Sequence, residues 1–103
     1  MTLELEYEFD PEKNIWLKEK PGVSFEEIIY YINNGHLLDV IKHPNKEKYA
    51  NQYFYVLDID DYVYLAPFVR QENKIFLKTL FPSRKHTKKY LAQMIKQRGA
   101  VYE

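Results

Sequence analysis

Three runs in the second half of the chain, residues 53–59, 62–69 and 74–81, are dense in aromatic and β-branched side chains, with only two and four polar residues between them. Asp60-Asp61 and Gln71-Glu72-Asn73 are connections of hairpin length. Runs tethered this closely fold back on one another, which predicts an antiparallel meander. Pro67, inside the middle run, cannot donate to a ladder, so it predicts an edge position or a bulge.

The first half supplies the cover such a sheet needs. Leu3, Leu5, Tyr7 and Phe9 alternate with Glu4, Glu6, Glu8 and Asp10, the period-two pattern of a strand with one buried face. Asp10-Pro11 opens a short helix, Asp at N-cap and Pro at N1, which runs to about Lys20 and stops at Pro21-Gly22. Trp16 is expected to anchor that helix on the sheet. Ser24-Phe25-Glu26-Glu27 is a capping box, with Val23 and Ile28 as its hydrophobic staple. Phe25, Ile28, Ile29 and Ile32 then mark one face of a helix that ends at Gly35. Residues 37–41 read as a short strand and 43–48 as a polar loop. A last helix covers residues 83–97, with Tyr90, Leu91, Met94 and Ile95 as its apolar stripe and Gly99 as its stop. The expected architecture is α+β, in the order N-terminal strand, two helices, antiparallel sheet and C-terminal helix, as one domain over residues 1–103.

Composition narrows the function classes. The chain has no Cys, which excludes disulfides, a Cys-based zinc site and a thiol nucleophile. No apolar run approaches the roughly 18 residues of a membrane span, and the first residues lack the layout of a signal peptide, so a cytoplasmic protein with no membrane partner is expected. His36 and His43 have no ligand-pair spacing and are assigned to loop or cap roles. The Asp58, Asp60 and Asp61 cluster reads as hairpin chemistry. Gly-rich phosphate loops and a serine nucleophile motif are absent from the sequence.

Charge is polarised. Residues 1–62 carry 13 Asp and Glu against 6 Lys and Arg, and residues 63–103 carry 2 against 9, so a chain of net charge zero splits into halves of −7 and +7. Neutrality argues against indiscriminate coating of nucleic acid, while polarisation allows one local basic surface. The cations gather at Lys78-Thr79-Leu80-Phe81-Pro82-Ser83-Arg84-Lys85-His86-Thr87-Lys88-Lys89-Tyr90, where a strand runs into a helix. The first turn of a helix is already partly positive and normally attracts Asp or Glu. Cations there suit a bound anion such as phosphate; the alternative is a solvated basic face.

These segments carry a family resemblance. Tyr7-Glu8-Phe9-Asp10-Pro11-Glu12-Lys13, Lys20-Pro21-Gly22, Phe25-Glu26-Glu27 and Pro82-Ser83-Arg84-Lys85-His86-Thr87-Lys88-Lys89-Tyr90 follow, in order and spacing, the pattern of the BrnT family of small ribonuclease toxins, relatives of the RelE-like toxins. The resemblance spans residues 7–90. Phe9 stands where that family usually has Trp, Pro21 where it has His, Leu17 where it often has Asn, and Thr79 where it tends to have Arg.

The resemblance implies a RelE-like fold and a metal-independent RNA endonuclease that uses the substrate 2′-OH as nucleophile and needs no cofactor. It implies Arg84 as the clamp on the pentavalent phosphate, Lys85 as a second cation or substrate contact, Lys78 as a further cation, and His86 as an acid or base. Lys88 and Lys89 would contact the RNA backbone, and Lys13 matches a family position. Tyr90 has two readings, a base stacker or a core residue continuing its stripe. The implied partners are RNA as substrate and a cognate small DNA-binding antitoxin, with operator DNA reached only through the toxin–antitoxin complex. The alternative is a catalytically silent relative that binds protein or nucleic acid.

Overall fold

The computed structural model describes residues 4–97. The elements follow in the order β1 (Glu6–Phe9), α1 (Pro11–Glu19), α2 (Phe25–Asn33), β2 (Leu37–Lys42), β3 (Gln52–Ile59), β4 (Tyr62–Gln71), β5 (Lys74–Leu77), β6 (Phe81–Pro82) and α3 (Arg84–Gln97). The α+β expectation and the order of its parts agree with this. Leu3 and Gly99, expected at the ends of the first strand and last helix, lie outside the described residues.

Two tight turns organise the sheet. Asp60 and Asp61 have φ of 53° and 66°, the left-handed pair that matches the twist of a two-residue hairpin and that Asp tolerates better than most residues. They let β3 and β4 pair without interruption from Gln52↔Val69 to Ile59↔Tyr62. Glu72, with φ of 56°, turns β4 into β5. β2 joins β3 antiparallel, with a bulge at Leu38. The strand order is β1-β5-β4-β3-β2, with β6 pairing β4 beyond β5.

Three details differ from the sequence reading. β1 pairs β5 in parallel, from Glu6↔Lys74 to Phe9↔Leu77, so the sheet is mixed rather than purely antiparallel. The run expected over 74–81 is two strands, β5 and β6, separated by residues 78–80. Pro67 sits on a central strand, neither at an edge nor at a bulge. Its carbonyl accepts from the Lys78 amide at 2.9 Å. The amide and carbonyl of a strand residue share a side, so its missing N–H falls where β5 has ended and β6 has not begun. The proline occupies a place on that side where the ladder is already broken.

Side-chain alternation gives the sheet a separate core on each face. Tyr55, Leu57, Ile59, Phe68, Ile75 and Leu77 pack against Leu17 of α1 and Phe25 and Ile28 of α2. Val56, Val63, Leu65 and Leu38 pack against Tyr90 and Met94 of α3. Only part of the expected α3 stripe is used: Leu91 and Ile95 are exposed, because one flat sheet face covers a narrower arc of helix than the four apolar positions span.

α1 is held by a polar residue. Asn14 is buried; its Oδ1 accepts from the Phe25 amide at 2.7 Å and its Nδ2 donates to Glu26 Oε1 at 2.8 Å. It therefore serves the first turn of α2, beside the Ser24–Glu27 capping box that forms as expected. Asn14 and Leu17 define the inward face of α1, which turns Trp16 outward at 72 % exposure. The expected packing anchor is a surface residue. Asn14→Ala leaves the buried Phe25 amide unpaired and should cost about 1–3 kcal/mol, measured as a lower thermal midpoint with an unchanged native circular dichroism spectrum.

Candidate nucleic-acid interface

The amino end of α3 is seated by a clip on one strand residue. Ser83 N donates to the Val63 carbonyl at 2.8 Å, and Val63 N donates to Thr87 Oγ1, also at 2.8 Å. The Thr87 hydroxyl in turn donates to the Ser83 carbonyl at 2.7 Å. Both backbone groups of Val63 are thus committed to α3. Ser83 Oγ accepts the His86 amide at 3.2 Å, the bond of an N-cap. The serine and threonine of the cation-rich segment therefore have structural tasks.

That clip holds four cations in water at one helix end. Arg84, Lys85, Lys88 and Lys89 are exposed, and the first turn of α3 contains no acid. His86 is half-buried, with Nδ1 2.7 Å from Ser83 Oγ. Burial, then the charges of Lys85 and Lys89, push its pKa below the usual imidazole value. The neutral ring is favoured near pH 7, and only Nε2 is left for a substrate. Lys89 Nζ lies 5.5 Å from the centre of the Tyr90 ring. Of the two readings of Tyr90, the structure shows the core one. The ring is 8 % exposed, and its hydroxyl donates to Asp39 Oδ2 at 2.9 Å. Burial, with that hydrogen bond and the Asp39 charge, raises its pKa.

The other two expected residues belong to a different neighbourhood. Lys78 is exposed in the 78–80 connection. Lys13 is half-buried on α1 and lines a cavity of about 520 Å³ between α1 and that connection. Buried Leu17 and Leu80 border it, with Lys13, Trp16 and Lys20 on one wall and Thr79 opposite. The structure thus brings Arg84, Lys85, His86, Lys88, Lys89 and Tyr90 together on α3, and places Lys13 on the other face of the sheet, beside the connection that carries Lys78. Trp16, Lys20 and Thr79 were not expected to line a site. The signal available was the i, i+3 spacing of Lys13 and Trp16, which puts both on one face of α1, with Lys20 just past its end. Among the described residues no group of three or more His, Asp or Glu is placed to hold a metal ion, and no helix is long and apolar enough to cross a membrane.

Comparisons with protein-family models, with curated proteins and with solved structures return no match. The functional reading rests on the residues themselves.

Two measurements follow from the clip. Thr87→Val removes the acceptor for Val63 N and should destabilise the fold by about 1–3 kcal/mol in denaturant melts, although the side chains are similar in size. For His86, the folded chain binds the ring proton less well than the unfolded chain. Its contribution to stability is complete above about pH 6.5 and is lost as the pH falls through that value toward the lower folded pKa. His86→Gln should flatten that part of the Tm-against-pH curve.

Proposed function

We propose that this protein is a small RNA endonuclease of the RelE-like kind, acting as the toxin of a type II toxin–antitoxin pair. The observation that carries the reading is the exposed group Arg84, Lys85, Lys88 and Lys89, spread over the first two turns of a helix whose first turn contains no acid and whose position is fixed by Val63. Helix-end amides and guanidinium or ammonium donors together suit the non-bridging oxygens of a phosphodiester. The segment likeness to the BrnT family and the α+β element order point the same way.

In the proposed reaction the ribose 2′-oxygen attacks the adjacent phosphorus, and the bond from phosphorus to the 5′-oxygen breaks. The 2′ proton must leave, and the departing 5′-oxygen must gain one. Arg84 stabilises the added negative charge on the pentavalent phosphorus, with Lys85 beside it. His86 offers only Nε2 for proton transfer. Lys88 and Lys89 hold the strand through its phosphates. The antitoxin, a small DNA-binding protein, would cover the same cations, which neutralises them and blocks RNA together.

One observation favours a second reading. His86 serves the helix cap and Tyr90 the core, so the α3 cluster is rich in clamps and poor in unengaged acid–base groups. A non-cleaving nucleic-acid binder would need no more. Expression without the cognate antitoxin decides between them: growth arrest with mapped RNA ends supports the endonuclease, and abundant soluble protein with intact RNA supports the binder. Arg84→Ala should cleave about 100- to 1,000-fold more slowly while melting like the wild type or slightly higher, since it removes a cation from the positive end of a helix. Lys88→Ala should bind RNA less tightly and with a shallower salt dependence.

A further inference from the structure

Trp16 is 72 % exposed and its neighbour Ile15 59 %, on a helix that buries only Asn14 and Leu17. An indole of large apolar area left in water points to a partner, since its burial is favourable. Lys13 and Trp16, one turn apart on α1, and Lys20, the extended residue that caps it, make a cation–aromatic–cation row. The row walls the cavity of about 520 Å³, whose far side is Thr79 with Lys78 next along the chain. Two lysines against one carboxylate, Glu19, leave that wall net positive. The volume lies within the range of pockets that hold a small ligand, enough for one nucleotide and too small for a duplex.

We propose that this cavity is a nucleotide subsite, in which one unpaired RNA base stacks on Trp16 while Lys13 and Lys20 hold the phosphates on either side. The inference rests on the RNA reading above and extends it to the opposite face of the sheet, adding residues outside the α3 cluster. Every base has a π-face, so stacking gives affinity for single strands with little sequence preference, and flanking cations track the backbone. Thr79, with a hydroxyl that both donates and accepts, faces the base edge or a 2′-OH. A protein partner is less well matched on the cavity side of the ring, where two lysines stand against Glu19; Asp10 and Glu12 border Trp16 on its other side.

Trp16 is the only tryptophan in the chain, so its emission reports on this cavity. Arg84→Ala protein, which binds without rapid cutting on the reading above, is titrated with a mixed-sequence single-stranded oligoribonucleotide, with its duplex, and with inorganic polyphosphate. The single strand should quench the emission, the duplex much less, and polyphosphate not at all. Trp16→Ala in the same background, followed by anisotropy of labelled RNA, should bind about 5- to 150-fold more weakly, the loss of one stacked base. Removing an exposed side chain should leave its melting curve unchanged. The subsite is overturned by absent quenching, by equal quenching with polyphosphate, or by unaltered RNA affinity after Trp16→Ala. Emission that shifts with protein concentration alone also overturns it, and assigns the patch to a second copy of the chain. Failure of the two proposals is separable. RNA that is bound and quenches Trp16 yet stays intact with wild-type protein sinks only the endonuclease; cleavage with unchanged KM after Trp16→Ala sinks only the subsite.

Discussion

Everything proposed for α3 depends on how a single residue of β4 spends its two backbone groups. Val63 donates to Thr87 and accepts from Ser83, five residues and one residue beyond the end of β6. A central strand residue would ordinarily direct those groups to a neighbouring strand. Here they are directed to a helix, so the amino end of α3 is fixed as firmly as a strand in register. A cluster of repelling cations gains positional precision from this that the helix sequence alone would not give. Burial of Tyr90 and Met94 then holds the rest of the helix down.

The break between β5 and β6 is the second constraint. Residues 78–80 take the chain from Leu77, beside Phe68 of β4, to Phe81, beside Leu65, and Leu80 turns into the α1–α2 core on the way. α3 then packs on the other face. The connection therefore borders both neighbourhoods, α1 with its cavity on one side and the α3 cations on the other. Pro67 suits this gap because a residue with a free amide there would face a missing partner.

Much of this was legible in the sequence, and the misses have a common cause. Hairpin spacing, the capping box at Ser24 and the period of α2 are local signals, and each agreed with the structure within a residue or two. Trp16 and Pro67 take other places than the pattern suggests, and Asn14 carries no local signal, because their roles depend on partners far along the chain. Asn14 reaches Phe25 and Glu26, and that polar contact sets the rotation of α1, so the largest apolar side chain on it faces out. Hydrophobicity alone ranks Trp16 above Asn14 for burial; only the tertiary hydrogen bonds reverse the order. For the candidate site, the cations at Arg84, Lys85, Lys88 and Lys89 were visible as a departure from helix-end preference. The core place of Tyr90 was one of its two readings; the structural service of Ser83 and Thr87 was not visible, since hydroxyls serve caps and catalysis in the same sequence contexts.

The two-faced sheet also limits how this chain can change length. β3 and β4 present Tyr55, Leu57, Ala66 and Phe68 to one helix layer, and Val56, Val63 and Leu65, with Phe54 packed alongside, to the other. Deleting one residue from either strand would turn every later side chain over, sending aromatic rings toward α3 and valines toward α1 and α2 at once. Neither layer has space shaped for the exchange. Variation in length is tolerable instead in residues 43–51, which join β2 to β3 outside both cores. A survey of variants, natural or selected, should find its gaps there.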